Sequence, residues 1–183
     1  MTNPYAPPTT NEAPEPALPT SRAPFFPVSV FKLTVMSIAT FGLYNLYWFF
    51  ANWRRVRDRE PNVSPFWRTI FSFVYCYALF KRVRDFYQVP SGTLEAGVLA
   101  LGFVTLSGTW RLPDPYWLIS LLAFLPLLPV QAHVNRINTA VALDQDRNDH
   151  FTAANWVVIV IGSLLLVLGL LGAFLPEEFV QAE

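Results

Sequence analysis

Residues 156–175, WVVIVIGSLLLVLGLLGAFL, decide the class of this protein. The stretch holds no charge and no proline. At 1.5 Å per residue a helix of that length reaches about 30 Å, the thickness of a bilayer's hydrocarbon core. The polar run Asp144 to Asp149 precedes it, with Thr152 placed as its N-cap, and Pro176-Glu177-Glu178 ends it. Gly162, Gly169 and Ala173 share one face and predict a seam where a second helix comes close.

The rest of the chain agrees with a membrane setting. Of 183 residues, 53% are apolar, 16% aromatic and only 14% charged. Soluble domains carry about a quarter charged residues, so this chain lacks the shell that water requires. The net charge is zero, which excludes a nucleic-acid partner drawn in by a global field. A single cysteine, Cys76, rules out an internal disulfide.

Further apolar stretches lie upstream. Residues 1–27 hold half of the sixteen prolines and read as a disordered arm. Val28 to Phe50 reads as one crossing helix, ending in the interfacial aromatics Tyr44, Tyr47 and Trp48. Ser64-Pro65 opens a helix running to about Tyr87, whose apolar part (Thr69 to Phe80) is short for a crossing. The break Pro90-Ser91-Gly92 leads to a hairpin over Ala96–Ala132 that turns at Leu112-Pro113-Asp114-Pro115, and Pro126 and Pro129 should kink its second arm. Residues 130–147 read as amphipathic, with Val130, Val134, Ile137 and Val141 on one face and Gln131, Asn135, Asn138 and Gln145 on the other. The expected architecture is all-α: an integral membrane bundle of about five helices over residues 28–176, followed by a short tail, 177–183.

Charge placement bears on the number of crossings. Five crossings would divide the basic residues seven against six. Keeping helix 64–87 at the cytoplasmic interface, or letting it dip in and return, divides them ten against three. Four crossings plus one interfacial helix is therefore preferred, with five crossings as the alternative. This arrangement places both termini outside the cytoplasm.

Few residues carry the pattern of a chemical site. Ser37, Thr40, Tyr44 and Tyr47 recur at helical spacing and present a hydroxyl face. That face suits helix packing, or the lining of a solute path. Arg54, Arg55, Arg57 and Arg59, with Lys81, Arg82 and Arg84, flank the interfacial helix and fit anionic lipid headgroups. Asp144, Asp146 and Asn148 imitate part of a calcium loop, but Asp149 and Asn155 stand where glycine and glutamate are needed. His133 and His150 have no zinc-ligand spacing, and no glycine loop for phosphate is present. No catalytic, cofactor or metal residues are assigned, and no enzyme is expected.

Three stretches form a distinctive set: Thr40-Phe41-Gly42-Leu43-Tyr44 with Tyr47-Trp48-Phe49 and Asn52-Trp53; Ser64-Pro65-Phe66-Trp67-Arg68; and Leu112-Pro113-Asp114-Pro115-Tyr116-Trp117-Leu118. On these residues the chain resembles a group of uncharacterised bacterial multi-pass inner-membrane proteins whose first helix carries the Thr-Phe-Gly-Leu-Tyr and Tyr-Trp-Phe motifs. The likeness covers residues 27–175 and leaves out the arm. It implies a bacterial inner membrane and brings no catalytic residues. The expected function is association, with partner helices or lipid, and the alternative is a small transporter or channel component.

Overall fold

The computed structural model describes residues 22–87, 94–142 and 146–174. The arm 1–21, the Pro90-Ser91-Gly92 break and the tail 177–183 lie outside the described residues. All described elements are helical: α1 (Val30–Ala39), α2 (Leu43–Arg57), α3 (Pro65–Ile70), α4 (Ser72–Phe86), α5 (Ala96–Gly108), α6 (Leu127–Val141) and α7 (Ala153–Phe174). A 3₁₀ turn, Thr109–Arg111, and a 3₁₀ segment, Tyr116–Phe124, link α5 to α6. Among the described residues, seven α-helices replace the five expected.

The first correction concerns Val28–Phe50. This stretch is two helices, broken at Thr40-Phe41-Gly42, where Phe41 and Gly42 adopt φ of 51° and 81°. The Gly42 N–H donates to Ser37 O at 2.8 Å and the Phe41 N–H to Ile38 O at 3.2 Å. This is the Schellman pattern that closes a helix C-terminus. The hydroxyl of Thr40 donates back to Met36 O at 2.7 Å and accepts from the Tyr44 N–H at 2.9 Å, so one side chain ends α1 and starts α2. Ser29 caps the other end of α1 by accepting from the Lys32 N–H.

The chain then returns. Residues 22–28 run antiparallel to the second half of α2. Arg22 pairs with Asp58 at 3.1 Å, Arg55 donates to Ala23 O at 3.0 Å and Arg59 to Pro24 O at 2.6 Å. Asn52 accepts from the Phe26 N–H at 3.1 Å. Residues 22 and 58 thus lie at one end of the molecule, and the Thr40–Gly42 turn lies away from it.

Helix 64–87 is also divided. Pro65 opens α3, and the helix breaks at Phe71 before α4 descends. Arg82 reaches Glu60 at 2.9 Å, so the far end of α4 comes back beside the end of α2. The Arg54–Arg59 and Lys81–Arg84 clusters therefore lie at one end of the molecule. Phe66, Trp67, Phe71 and Phe73 form a run of touching rings on the exposed side of the α3–α4 bend.

α5 pairs antiparallel with α4, and the Cys76 thiol faces Ala100 O. The chain turns at residues 109–115, and Tyr116–Phe124 continues through Pro126 into α6. Pro126 and Pro129 mark the change from 3₁₀ to α helix rather than a kink in one α-helix. Trp48, Phe49, Trp53, Phe80, Leu79, Leu127 and Ile137 are fully buried at the centre.

The second correction concerns the polar face of α6. It does not face water: Gln131 is fully buried and Asn138 nearly so. Buried polar groups need partners, and here the partner is the extended backbone of residues 25–28. That backbone, in turn, has no helix or sheet to satisfy it. Ala23 to Val28, placed mostly in the arm by sequence, therefore belongs to the core, with Phe25 and Val28 fully buried.

Two continuous helical stretches, Tyr116–Val141 and Ala153–Phe174, are long and apolar enough to cross a membrane. α1, at ten residues, is not. Thr152 caps α7 as expected, in a reciprocal box with Asn155: the Asn155 N–H donates to Thr152 Oγ1, and the Thr152 N–H to Asn155 Oδ1.

Candidate functional site

The sequence-derived candidates fall into two places, a packing seam and a basic end. The seam joins α7 to the break between α1 and α2. Gly162 is the one buried residue of α7. A Cβ there would fall on the carbonyl oxygen of Ala39 and lie 2.8 Å from its carbon. Two backbones thus meet where only glycine fits. Further along, a Cβ at Gly169 would lie in ordinary contact with the Phe41 ring (3.7 Å) and with Trp117 (3.9 Å). Ala173 is half-buried on the same side. The small-residue face therefore packs within the chain, against the break that the sequence reading missed. The rest of α7 is exposed or half-buried, with Val160, Leu164, Leu168 and Phe174 pointing outward.

The break is internally satisfied. The N–H groups of residues 40 to 45 each find an acceptor within the turn. The Ser37 hydroxyl donates to Asn45 Oδ1 at 2.7 Å, tying α1 to α2 across it. The hydroxyl face named from sequence is thereby split. Ser37 and Thr40 bond within the break, Tyr44 is buried, and Tyr47 is exposed with its ring against Phe26 and Tyr44. These residues do not form one continuous lining.

At the basic end, the seven candidates separate by task. Arg55 and Arg59 hold the carbonyls of Ala23 and Pro24, and the Arg59 guanidinium sits 5.0 Å from the Phe25 ring and 4.9 Å from Phe86. Arg82 grips the Glu60 carboxylate with two nitrogens and covers Trp53, which Arg68 covers from 4.5 Å. Arg84 pairs with Asp85. Arg54, Arg57 and Lys81 are exposed, Arg54 lying 6.0 Å from Phe50. The hydrogen bond from Arg82 holds the Glu60 carboxyl below its usual range.

Sequence reasoning missed the amide clamp. Gln131 Nε2 donates to Phe26 O, Val28 O and Asn135 Oδ1, while its oxygen accepts from the Trp48 indole. Asn135 Nδ2 donates to Val28 O, and Asn138 exchanges bonds with both backbone groups of Phe25. Asn52 of α2 is fully buried in the same clamp. Asn148 of the apparent calcium loop donates to Pro27 O and accepts from Lys32 Nζ at 2.8 Å, so that its side chain holds the protein together. Three amides at i, i+4 and i+7 on α6 (Gln131, Asn135, Asn138), with Asn52 on α2, were the available signal. Reading them as solvated hid it.

No grouping of His, Cys, Asp and Glu that could hold a metal occurs among the described residues. The chain matches no protein-family model, no curated protein and no solved structure.

Proposed function

We propose that this chain is a non-enzymatic multi-pass protein of a bacterial inner membrane that works by association with lipid and with partner helices. The carrying observation is α7. It is twenty-two residues long and uncharged, it joins the bundle along one narrow seam at Gly162, and it turns nearly all of its circumference outward. Water disfavours such a surface by about 25 cal/mol per Å² of apolar area, so lipid tails or other helices are its proper surroundings. In this reading α5, Tyr116–Val141 and α7 cross the bilayer, while α3 and α4 form a re-entrant pair that dips in from the face where α2 ends and returns to it beside Glu60.

The basic end is the lipid-binding part. Arg54, Arg57 and Lys81 are the cations left facing outward, since Arg55, Arg59, Arg82 and Arg84 hold internal partners. The internal use of Ser37, Thr40 and Asn45 speaks against the solute-path alternative.

The test is phospholipid retention during purification in mild detergent, read by native mass spectrometry. Phosphatidylglycerol should be kept in preference to phosphatidylcholine. Replacing Arg54, Arg57 and Lys81 together by Gln should weaken that preference on the order of a hundredfold, from about 1 kcal/mol per cation. Equal retention of both lipids, or a triple variant identical to the parent, would refute the lipid role.

A further inference from the structure

Resting on the membrane reading above, we infer that the first apolar stretch enters and leaves the bilayer through the same face. Arg22, both basic clusters and the loop before α7 then all lie against the anionic cytoplasmic leaflet. A helix crossing at Val28–Phe50 would separate residue 22 from residue 58 by the full membrane thickness. Instead Arg22 meets Asp58 at 3.1 Å, and Arg55 and Arg59 hold the carbonyls of residues 23 and 24. The descending half of the hairpin is α2, and the ascending half is the clamped residues 23–28 followed by α1. Its tip is Thr40-Phe41-Gly42.

The depth of the tip can be estimated from α7. Ala39 touches Gly162, which lies about 14 Å along the helix from Ala153, or half of an approximately 30 Å hydrocarbon core. Irregular backbone is tolerated at that depth only where its polar groups are satisfied inside protein. The donors of the tip meet this condition, because each N–H from Thr40 to Asn45 is bonded, and Ser37 O, Ile38 O, Thr40 O and Gly42 O accept four of these bonds. The extended residues 25–28 meet it through the Asn52, Gln131, Asn135 and Asn138 amides.

The charge count follows. Lys32 donates to Asn148 Oδ1 at 2.8 Å and to His150 O at 2.7 Å, which places it with Arg147 at the same end as Pro27. Arg136 and Arg147 border the groove that Pro27 lines. Arg68 and Arg82 share the Trp53 ring. Of the thirteen Lys and Arg residues, Arg111 alone lies at the opposite end, on the turn beside Trp110. A division of twelve against one satisfies the positive-inside rule far better than ten against three, and it assigns the crowded end to the cytoplasm. α5 then leads outward, Tyr116–Val141 inward and α7 outward again, giving three crossings. The partner of this end is the anionic surface of the inner leaflet, which attracts basic residues held against it.

Single cysteines in a Cys76→Ala background test the arrangement in the full-length protein expressed in bacterial cells. Arg22→Cys, Asn62→Cys and Leu112→Cys are treated with a membrane-impermeant maleimide. Leu112→Cys should label in intact cells, whereas Arg22→Cys and Asn62→Cys should label only after permeabilisation. Labelling of Arg22→Cys but not Asn62→Cys in intact cells overturns the returning hairpin. Labelling of both, with Leu112→Cys protected, overturns the orientation. Alkaline carbonate extraction of the parent chain separates these outcomes from failure of the membrane reading itself, since release into the supernatant sinks that reading regardless of the labelling.

Discussion

Replacing Gly162 by alanine tests the seam between α7 and the broken helix. The new methyl carbon would overlap the Ala39 carbonyl oxygen and lie 2.8 Å from the carbonyl carbon. That carbonyl cannot swing aside cheaply, because its neighbours Ser37 and Ile38 accept the bonds that close α1. α7 must therefore retreat by about 1 Å or more. Gaps of that size forfeit a quarter to a half of each dispersion contact, and overpacking of this kind typically costs about 1–3 kcal/mol. With rigid backbone as the obstacle, the upper end applies. Alanine recovers up to about 1 kcal/mol of helix propensity over glycine, leaving a net loss of about 2 kcal/mol. The assay is reversible unfolding in mixed detergent micelles followed by tryptophan fluorescence, with Gly172→Ala as control because nothing lies within 4 Å of its Cβ position. Gly172→Ala should be neutral or slightly stabilised. If Gly162→Ala matches it, the two backbones do not meet as described and the seam argument fails.

The same unfolding assay checks four further expectations. Gly42→Ala places a side chain at φ +81°, and should lose about 1–2 kcal/mol through left-handed strain alone, since its nearest neighbour is an unobstructive 3.5 Å away. Gln131→Leu strands the Trp48 indole N–H and the Phe26 carbonyl in the core and should lose about 3 kcal/mol, whereas a loss below about 1 would show that the clamp is replaceable. Arg59→Lys keeps the charge but loses the planar group held between Phe25 and Phe86, and should lose about 1 kcal/mol. The Glu60 carboxyl is depressed by its hydrogen bond to Arg82, so its stabilisation is present above the unfolded value near pH 4.3 and is lost as pH falls through the lower folded value. With Glu60 about half exposed, the effect is below about 1 kcal/mol, and Glu60→Gln should remove that part of the acid dependence.

The amino-acid sequence alone determined the element type. The uncharged run 156–175 carries a helix that is long and apolar enough to cross a membrane, and no strand occurs among the described residues. It also determined local ends, such as the Thr152 cap and the Pro65 start, because these depend on neighbouring residues only. The sequence reading missed the Thr-Phe-Gly break, although Gly42 inside the apolar run carries the signal of a helix C-terminus. The tertiary structure decided which polar residues face water. Helical periodicity reports that Gln131, Asn135 and Asn138 share a face, yet not whether solvent or an extended backbone lies opposite. Periodicity is blind to segments distant in sequence, and residues 22–28 reach α6 across more than a hundred positions. The same blindness hid the return of the chain at Arg22 and Asp58, a contact that no local pattern encodes.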